Sequence, residues 1–205
     1  MGFYEDRILP RIVDLTCGSS MLDSVRERTC TGLSGRVVEI GFGSGRNAPF
    51  YPASVTDVSA VEPADRGWDM AASRVAASAV PIERAGLDGQ SLPFEDNSFD
   101  SALSTWTLCT IPDVKAALSE VRRVLVPGGA FHFVEHGLAP DAAVQKWQHR
   151  FNPVQRTVAG GCHLNRDIRG LIETAGFEIR DIDCFYEKSV PKTWGAMSLG
   201  VAIAP

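Results

Sequence analysis

The chain has 205 residues, of which 44% are hydrophobic and 22% charged, with a formal net charge of -5. This is the composition of a soluble globular protein, long enough to bury a core in one domain without staples. No apolar run has the length needed to span a bilayer, no basic segment precedes an apolar core at the N-terminus, and Asp6 stands where a myristoylation signal needs Ser or Thr. The expectations are therefore no transmembrane anchor, no signal peptide and, without a block of Lys or Arg, no nucleic-acid partner. Cys17, Cys30, Cys109, Cys162 and Cys184 are scattered, odd in number and never spaced Cys-x-x-Cys. That pattern points to reduced thiols in a cytoplasm and argues against a zinc site.

Residues 1 to 34 read as two helices ahead of a sheet. Ile8, Leu9, Ile12, Val13 and Leu15 recur at helical spacing, and Met21, Leu22 and Val25 begin a second stripe before Arg26 and Arg28. Such helices could cap a ligand cleft or only pack on the sheet. From Arg36 onward strand and helix signals alternate, the mark of a parallel sheet with helices on both faces. Strands are predicted near Val37 to Ile40, Val58 to Glu62, Pro81 to Arg84, Phe99 to Ser104 and Ala130 to Glu135. The clearest helix runs from Val114 to Leu125, after an N-cap region at Pro112-Asp113 and before Pro127-Gly128-Gly129. Between Gly137 and Leu164 the alternation lapses into what reads as a long irregular connection, crowded with Trp147, His149, Arg150, Phe151 and Asn152-Pro153. A helix at Asn165 to Ala175 follows, ended by Gly176. Two alternating runs, Phe177 to Tyr186 and Trp194 to Ile203, then read as an antiparallel pair at one edge. No repeat or linker divides the chain, so residues 1–205 read as one domain with a helical cap over 1–34 and a core over 35–205.

The stretch Val37 to Gly45, Val-Val-Glu-Ile-Gly-Phe-Gly-Ser-Gly, organises the rest. It reads as a buried strand turning sharply into a helix, with Gly41, Gly43 and Gly45 clearing Cβ atoms from a tight turn against which a ligand can lie. Glu62 ends the second strand at about the distance where an acid meets a ribose in nucleoside-binding α/β units. A dinucleotide fold favours a third glycine where this chain has Arg46. The pattern here is the tighter Glu-x-Gly-x-Gly-x-Gly, and on it the sequence resembles the class I S-adenosylmethionine-dependent methyltransferases. The resemblance extends over nearly the whole chain, through Leu87 to Phe94, Asp96 to Asp100 and Pro127-Gly128-Gly129.

The resemblance implies a Rossmann-like α/β fold with a seven-stranded, mostly parallel sheet, an antiparallel edge strand and N-terminal helices. It implies S-adenosylmethionine as cofactor and S-adenosylhomocysteine as product. Carried over residue by residue, Glu39, Gly41, Gly43, Gly45 and Asn47 would hold the methionyl part, Glu62 the ribose hydroxyls and Pro63 the adenine face. Asp88 would accept from the adenine amino group beside the Gly89 backbone, with Thr105 and Trp106 at the end of the fourth strand completing the site. A closer match, through Thr105 to Cys109, Phe131 to Gly137 and Gly161 to Arg166, is to the methyltransferase-like alkyl-thiol methyltransferases and their soluble bacterial relatives.

Little acid-base chemistry is obligatory for methyl transfer from a sulfonium, and a thiol is already partly thiolate near neutral pH. His136, just past the fifth strand, is the first candidate to take a proton from the acceptor or orient it, and His163 the second. The alternative for His136 is a purely structural role with Glu135. Cys109 and Cys162 read as small packing residues, and residues 147 to 154 as an apolar pocket wall or a packed loop. The expected activity is methylation of a small, apolar acceptor, favoured a thiol, with a quinol, phenol or lipid amine behind it. A noncatalytic cofactor-binding protein and a nicotinamide-dependent oxidoreductase, the latter disfavoured by Arg46, stand as the rival classes. The oligomeric state is not legible.

Overall fold

The computed structural model describes residues 20–188 and 190–205. The expected helix over Ile8 to Leu15 lies outside them. The described chain starts with a 3₁₀ turn, Ser20–Leu22, leading into helix α1, Asp23–Cys30. Strands β1 (Gly35–Ile40), β2 (Val55–Val61), β3 (Ile82–Gly86), β4 (Phe99–Thr105), β5 (Leu125–His136), β6 (Glu178–Tyr186) and β7 (Ala196–Ile203) form one seven-stranded sheet in the order β3-β2-β1-β4-β5-β7-β6. The first five strands are mutually parallel, and β7 lies antiparallel to both β5 and β6. The expected antiparallel pair thus occupies this edge, with the reversed strand inserted so that outermost β6 runs with the parallel set. No helix among the described residues is long and apolar enough to cross a membrane.

Helices α2 (Asp65–Ala77), α3 (Val114–Val124), α4 (Ala142–Val158), α5 (Ile168–Thr174) and the short α6 (Lys192–Gly195) join the strands. Side chains alternate across the sheet, so neighbours in β1 serve different layers. Val38 and Ile40 join Phe131 and Phe133 of β5 beneath Leu118 and Val121 of α3 and Ile168 and Ile172 of α5. Val37 faces the other way, with Val58, Leu103 and Leu33. α1 is fastened to β5 and β7 through Val25, Val134 and Leu199, while Ala71 of α2 meets Ala60 and Phe42.

The expected cap at Asp113 acts as one, and Asp167 caps a helix that starts at Ile168 rather than at Asn165. Asp113 Oδ1 accepts from the Ala116 N–H at 3.0 Å, and Asp167 Oδ1 accepts from the Gly170 N–H at 3.0 Å. Gly176, with φ +88°, ends the α5 region in the left-handed conformation that favours glycine. The Pro127-Gly128-Gly129 turn sits inside β5 as a bulge: Phe99 pairs with Leu125, and the next pair is Ser101 with Ala130.

Two expectations are corrected. The stretch 137–164 is not an irregular connection, because it contains the 17-residue helix α4, which keeps Pro153 in its interior. A proline there removes one N–H and disfavours helix in the preceding residue, which is why Asn152-Pro153 reads as a break. Buried Gln148 anchors the helix instead, donating to the Gly137 carbonyl at 2.9 Å and accepting from the Ala139 N–H at 2.9 Å. Trp147, Phe151, Val154 and Val158 then form an exposed stripe, with Trp147 stacked on Phe151 at 5.6 Å, rather than a pocket wall. The second correction is that the glycine turn does not enter an α-helix. It leads through turns to a single 3₁₀ turn, Ala48–Phe50, since Pro49 and Pro52 remove two of the donors that a longer helix would need.

Candidate active site

The carboxyl ends of β1, β2, β4 and β5 lie at one edge of the sheet, where the strand order reverses between β1 and β4. Open parallel sheets bind ligands there. At the end of β1, Gly41, Gly43 and Gly45 have φ of +71°, +57° and +73°, a run of left-handed residues that side chains strongly disfavour. A Cβ added at Gly41 would strike the Thr107 side chain, and one at Gly45 would lie 3.1 Å from Ala71 and Phe42. Gly43 differs, because the nearest atom to its added Cβ is the Gly41 carbonyl oxygen at 3.9 Å. Two of these glycines are required by packing, and Gly43 leaves room.

Glu62, immediately after β2, is buried and ties this turn to the next. Its Oε2 accepts from the Gly43 N–H at 2.7 Å and its Oε1 from the Ala64 N–H at 2.8 Å. A carboxylate oxygen can accept twice, so each keeps an acceptor direction for a hydroxyl. Burial raises the Glu62 pKa, opposed by those two N–H groups and by the Arg84 cation. Pro63 is exposed beside it.

Below the turn, Glu39 is almost wholly buried. It accepts from Asn47 Nδ2 at 2.9 Å and from the Tyr51 hydroxyl. Asn47 also donates to Thr105 Oγ1 at 3.0 Å, and its Oδ1 accepts from Arg26 at 2.7 Å. Burial pushes the Glu39 pKa up to about 7 against the pull of Tyr51, Asn47 and Arg26. The guanidinium of Arg26 lies 4.7 Å from the centre of the Trp106 ring, and Trp106 itself holds a φ of +51°. Arg26 was missed at the sequence level because a helical arginine reads as a solvent-facing charge. Its buried position shows only when α1 packs against β5 and sets Arg26 on Asn47 and Trp106.

Asp88 is exposed on the loop after β3, where its Oδ1 accepts from the Gln90 N–H at 2.9 Å and Gln90 Nε2 at 3.0 Å. Gly89, next to it, faces Ile111 and Ile40. These two lie on the same sheet edge but carry no hydrogen bond to the Glu39 network.

A second cluster begins where Thr107 touches Gly41. Glu135, fully buried near the end of β5, accepts from Ser104 Oγ at 2.8 Å, the Thr107 N–H at 2.9 Å and the Cys109 N–H at 3.3 Å. Burial raises its pKa against these donors. Its neighbour His136 is not a lone imidazole: Nε2 lies 2.9 Å from Cys162 Sγ, which in turn is 3.7 Å from Cys109 Sγ. Hydrogen bonding to Cys109 and burial push the Cys162 thiol up. His163 Nδ1 donates to the Cys109 carbonyl at 3.2 Å, and burial together with Arg166 lowers its pKa. The two candidate histidines and two of the cysteines, read as packing residues, therefore form one group. No local spacing signals it, since Cys109 and Cys162 are 53 positions apart.

Comparison with known proteins agrees with this geometry. Residues 38–133 match the family model described as a methyltransferase domain. The human thiol S-methyltransferase TMT1B is 34% identical over 155 residues, covering 72% of this chain and 62% of that protein, so the chain spans about three fifths of that relative's length. A phosphatidylethanolamine N-methyltransferase from Cereibacter sphaeroides is 30% identical over 155 residues, covering 68% of this chain and 72% of its own. Among solved structures, phosphoethanolamine N-methyltransferase 2 of Haemonchus contortus with S-adenosyl-L-methionine superposes with a TM-score of 0.69 at 15% identity, over 98% of this chain and 59% of that one. With the sheet order, the glycine turn and these matches in hand, the chain belongs to the S-adenosylmethionine-dependent methyltransferases, whose cofactor it shares.

Proposed function

We propose that this protein transfers the methyl group of S-adenosylmethionine to a small, apolar acceptor, a thiol before others. The single observation that carries the reading is the continuity of the edge. The glycine turn that Glu62 fixes through Gly43 meets the Thr107 side chain at Gly41, and Thr107 leads within two residues to the sulfur and imidazole cluster. The residues fit the cofactor chemically. Glu39, Asn47 and the backbone of Gly41, Gly43 and Gly45 would hold the methionyl part, and Glu62 would accept from the ribose hydroxyls. Pro63, Asp88 and Gly89 would receive the adenine, while Thr105 and Trp106 would wall the methyl end.

When bound, the cofactor supplies an electrophilic methyl on its sulfonium. The chain's own contribution is then to orient the acceptor and exclude water, an effect of roughly 7 to 11 kcal/mol in favourable intramolecular cases. Arg26, laid over Trp106 and tied to Asn47, closes one side of the turn and supports a capping role for the N-terminal residues. His136 and His163 act at the acceptor end, as part of the sulfur cluster rather than as isolated bases. Free Cys30, Cys109, Cys162 and Cys184 are consistent with a reducing cytoplasm.

A lipid amine is the second reading, favoured by the similarity to the Cereibacter protein. A nicotinamide oxidoreductase is disfavoured because a pyrophosphate needs an α-helix N-terminus behind the glycine turn, and a single 3₁₀ turn follows it here. The test is release of S-adenosylhomocysteine from purified protein offered small thiols, phenols, quinols and lipid amines. Selective turnover of thiols is the expected result. Turnover confined to another class discards the thiol, and tight cofactor binding with silence across the panel makes the protein a noncatalytic binder.

A further inference from the structure

Three metal-ligating side chains from three separate segments meet beside the proposed acceptor end. Cys109 follows β4, His136 ends β5 and Cys162 follows α4, and one ligand atom from each lies within 4.8 Å of the other two. Around a tetrahedral zinc ion, two sulfurs at about 2.3 Å from the metal stand about 3.8 Å apart, and a sulfur and an imidazole nitrogen about 3.5 Å. The sulfurs of Cys109 and Cys162 are already 3.7 Å apart. His136 Nε2, at 2.9 Å from Cys162 Sγ, has to withdraw from it by roughly half an ångström, while the imidazole's separation from Cys109 Sγ, within 4.8 Å, has to settle at about 3.5 Å.

The surroundings hold the ligands in place. The Cys109 N–H donates to Glu135, its carbonyl accepts from the His163 N–H at 2.8 Å, and Arg166 donates to the adjoining Leu108 carbonyl. The Arg166 cation also faces both sulfurs, so a site carrying more thiolate charge than the metal neutralises has a counter-charge at hand. Both cysteines are buried, and partly exposed His136 gives small ligands an approach.

We propose that Cys109, His136 and Cys162 bind a soft divalent cation, zinc above all, the two thiols releasing their S–H protons to solvent as the sulfur–metal bonds form, and that its fourth coordination position takes the acceptor's sulfur as a thiolate. The second half rests on the thiol reading above. Three protein ligands with one open position is the arrangement of zinc sites that act on substrates, whereas structural zinc sites are closed by four. On binding, the acceptor's S–H bond breaks, its proton passes to solvent and a sulfur–zinc bond forms, with no change of oxidation state. The sulfur is then an anion near neutral pH. Once methylated it is a neutral thioether, a weak ligand that leaves the metal.

Zinc content and cobalt substitution test this without relying on turnover. Purified protein should carry about one zinc per chain, and Cys109→Ser, Cys162→Ser and His136→Ala should each lower it to below about a tenth while circular dichroism stays native. Cobalt in the wild-type protein should give tetrahedral visible bands with thiolate charge transfer, and an added alkyl thiol should strengthen the latter. A protein that retains no metal, metal retained equally in the three variants, a Cys109–Cys162 disulfide in the active protein, or a cobalt spectrum indifferent to thiols overturns the proposal. Undiminished thiol methylation by metal-free protein overturns it and leaves the thiol reading standing. Thiol-dependent cobalt spectra without thiol turnover sustain the site and overturn the thiol reading.

Discussion

Glu62 carries two loads in the proposed site, since the carboxylate proposed to accept from a ribose already fixes Gly43 and Ala64. Glu62→Ala should therefore weaken S-adenosylmethionine binding by about 1.5 to 3 kcal/mol, the scale of a charged hydrogen bond, or roughly 10- to 150-fold in Kd by calorimetry. Unchanged affinity removes Glu62 from the site. At Gly43 the left-handed backbone alone penalises a branched residue by about 1 to 2 kcal/mol. Gly43→Val should also abolish cofactor binding, because its side chain fills the open space above the turn. A variant that unfolds at somewhat lower denaturant yet binds normally would refute the placement of the cofactor there.

Among the elements, α3 does more than cover the sheet. Arg123 near its end donates to the Phe94 carbonyl at 2.8 Å, the Leu92 carbonyl at 3.1 Å and Asp96 at 2.7 Å, while Glu120 accepts from the Leu92 N–H at 2.8 Å. The helix thereby clamps the C-terminal half of the loop that carries Asp88 and Gly89. Arg123→Ala should cost about 1 to 3 kcal/mol of stability, as two carbonyls lose a charged donor, and should raise the Kd for the cofactor with no contact to it. Urea unfolding with a cofactor titration measures both, and a stability loss without any change in Kd would uncouple the helix from the loop proposed to receive the adenine. α1 acts similarly from the other side of the turn through Arg26, which a sequence places on a helix and only the packing of α1 over Trp106 buries.

The whole molecule keeps three buried carboxylates at one sheet edge, Glu39, Glu62 and Glu135, and burial raises the pKa of each. A raised carboxylate holds its proton more tightly folded than unfolded, so its contribution to stability is fully present below its ordinary value and lost as pH rises through the folded one. For Glu39 that window runs from 4.5 to about 7. His132, lowered by burial, works in the opposite sense, so the difference from Glu39→Gln, in which it cancels, is the quantity to follow. The stability of the wild type relative to this variant should fall between those pH values and level off above them. A difference that does not vary with pH would mean that Glu39 is ionised throughout.

What the sequence by itself determined is local or periodic. The parallel strands follow from alternating apolar runs, the α3 stripe and its Asp113 cap from helical spacing, and the glycine turn from residues that alone tolerate its backbone. The family and its cofactor followed from motifs in fixed order. Tertiary structure decided the rest, because it depends on contacts that no window of sequence contains. It kept Pro153 within α4, where Gln148 anchors the helix, and it turned Trp147 and Phe151 outward. It buried Arg26 against Trp106, and it gathered Cys109, His136 and Cys162 from three segments into one group. Absent Cys-x-x-Cys spacing speaks against a metal ribbon, but it says nothing of ligands that only the folding of β4, β5 and α4 brings within reach of one another.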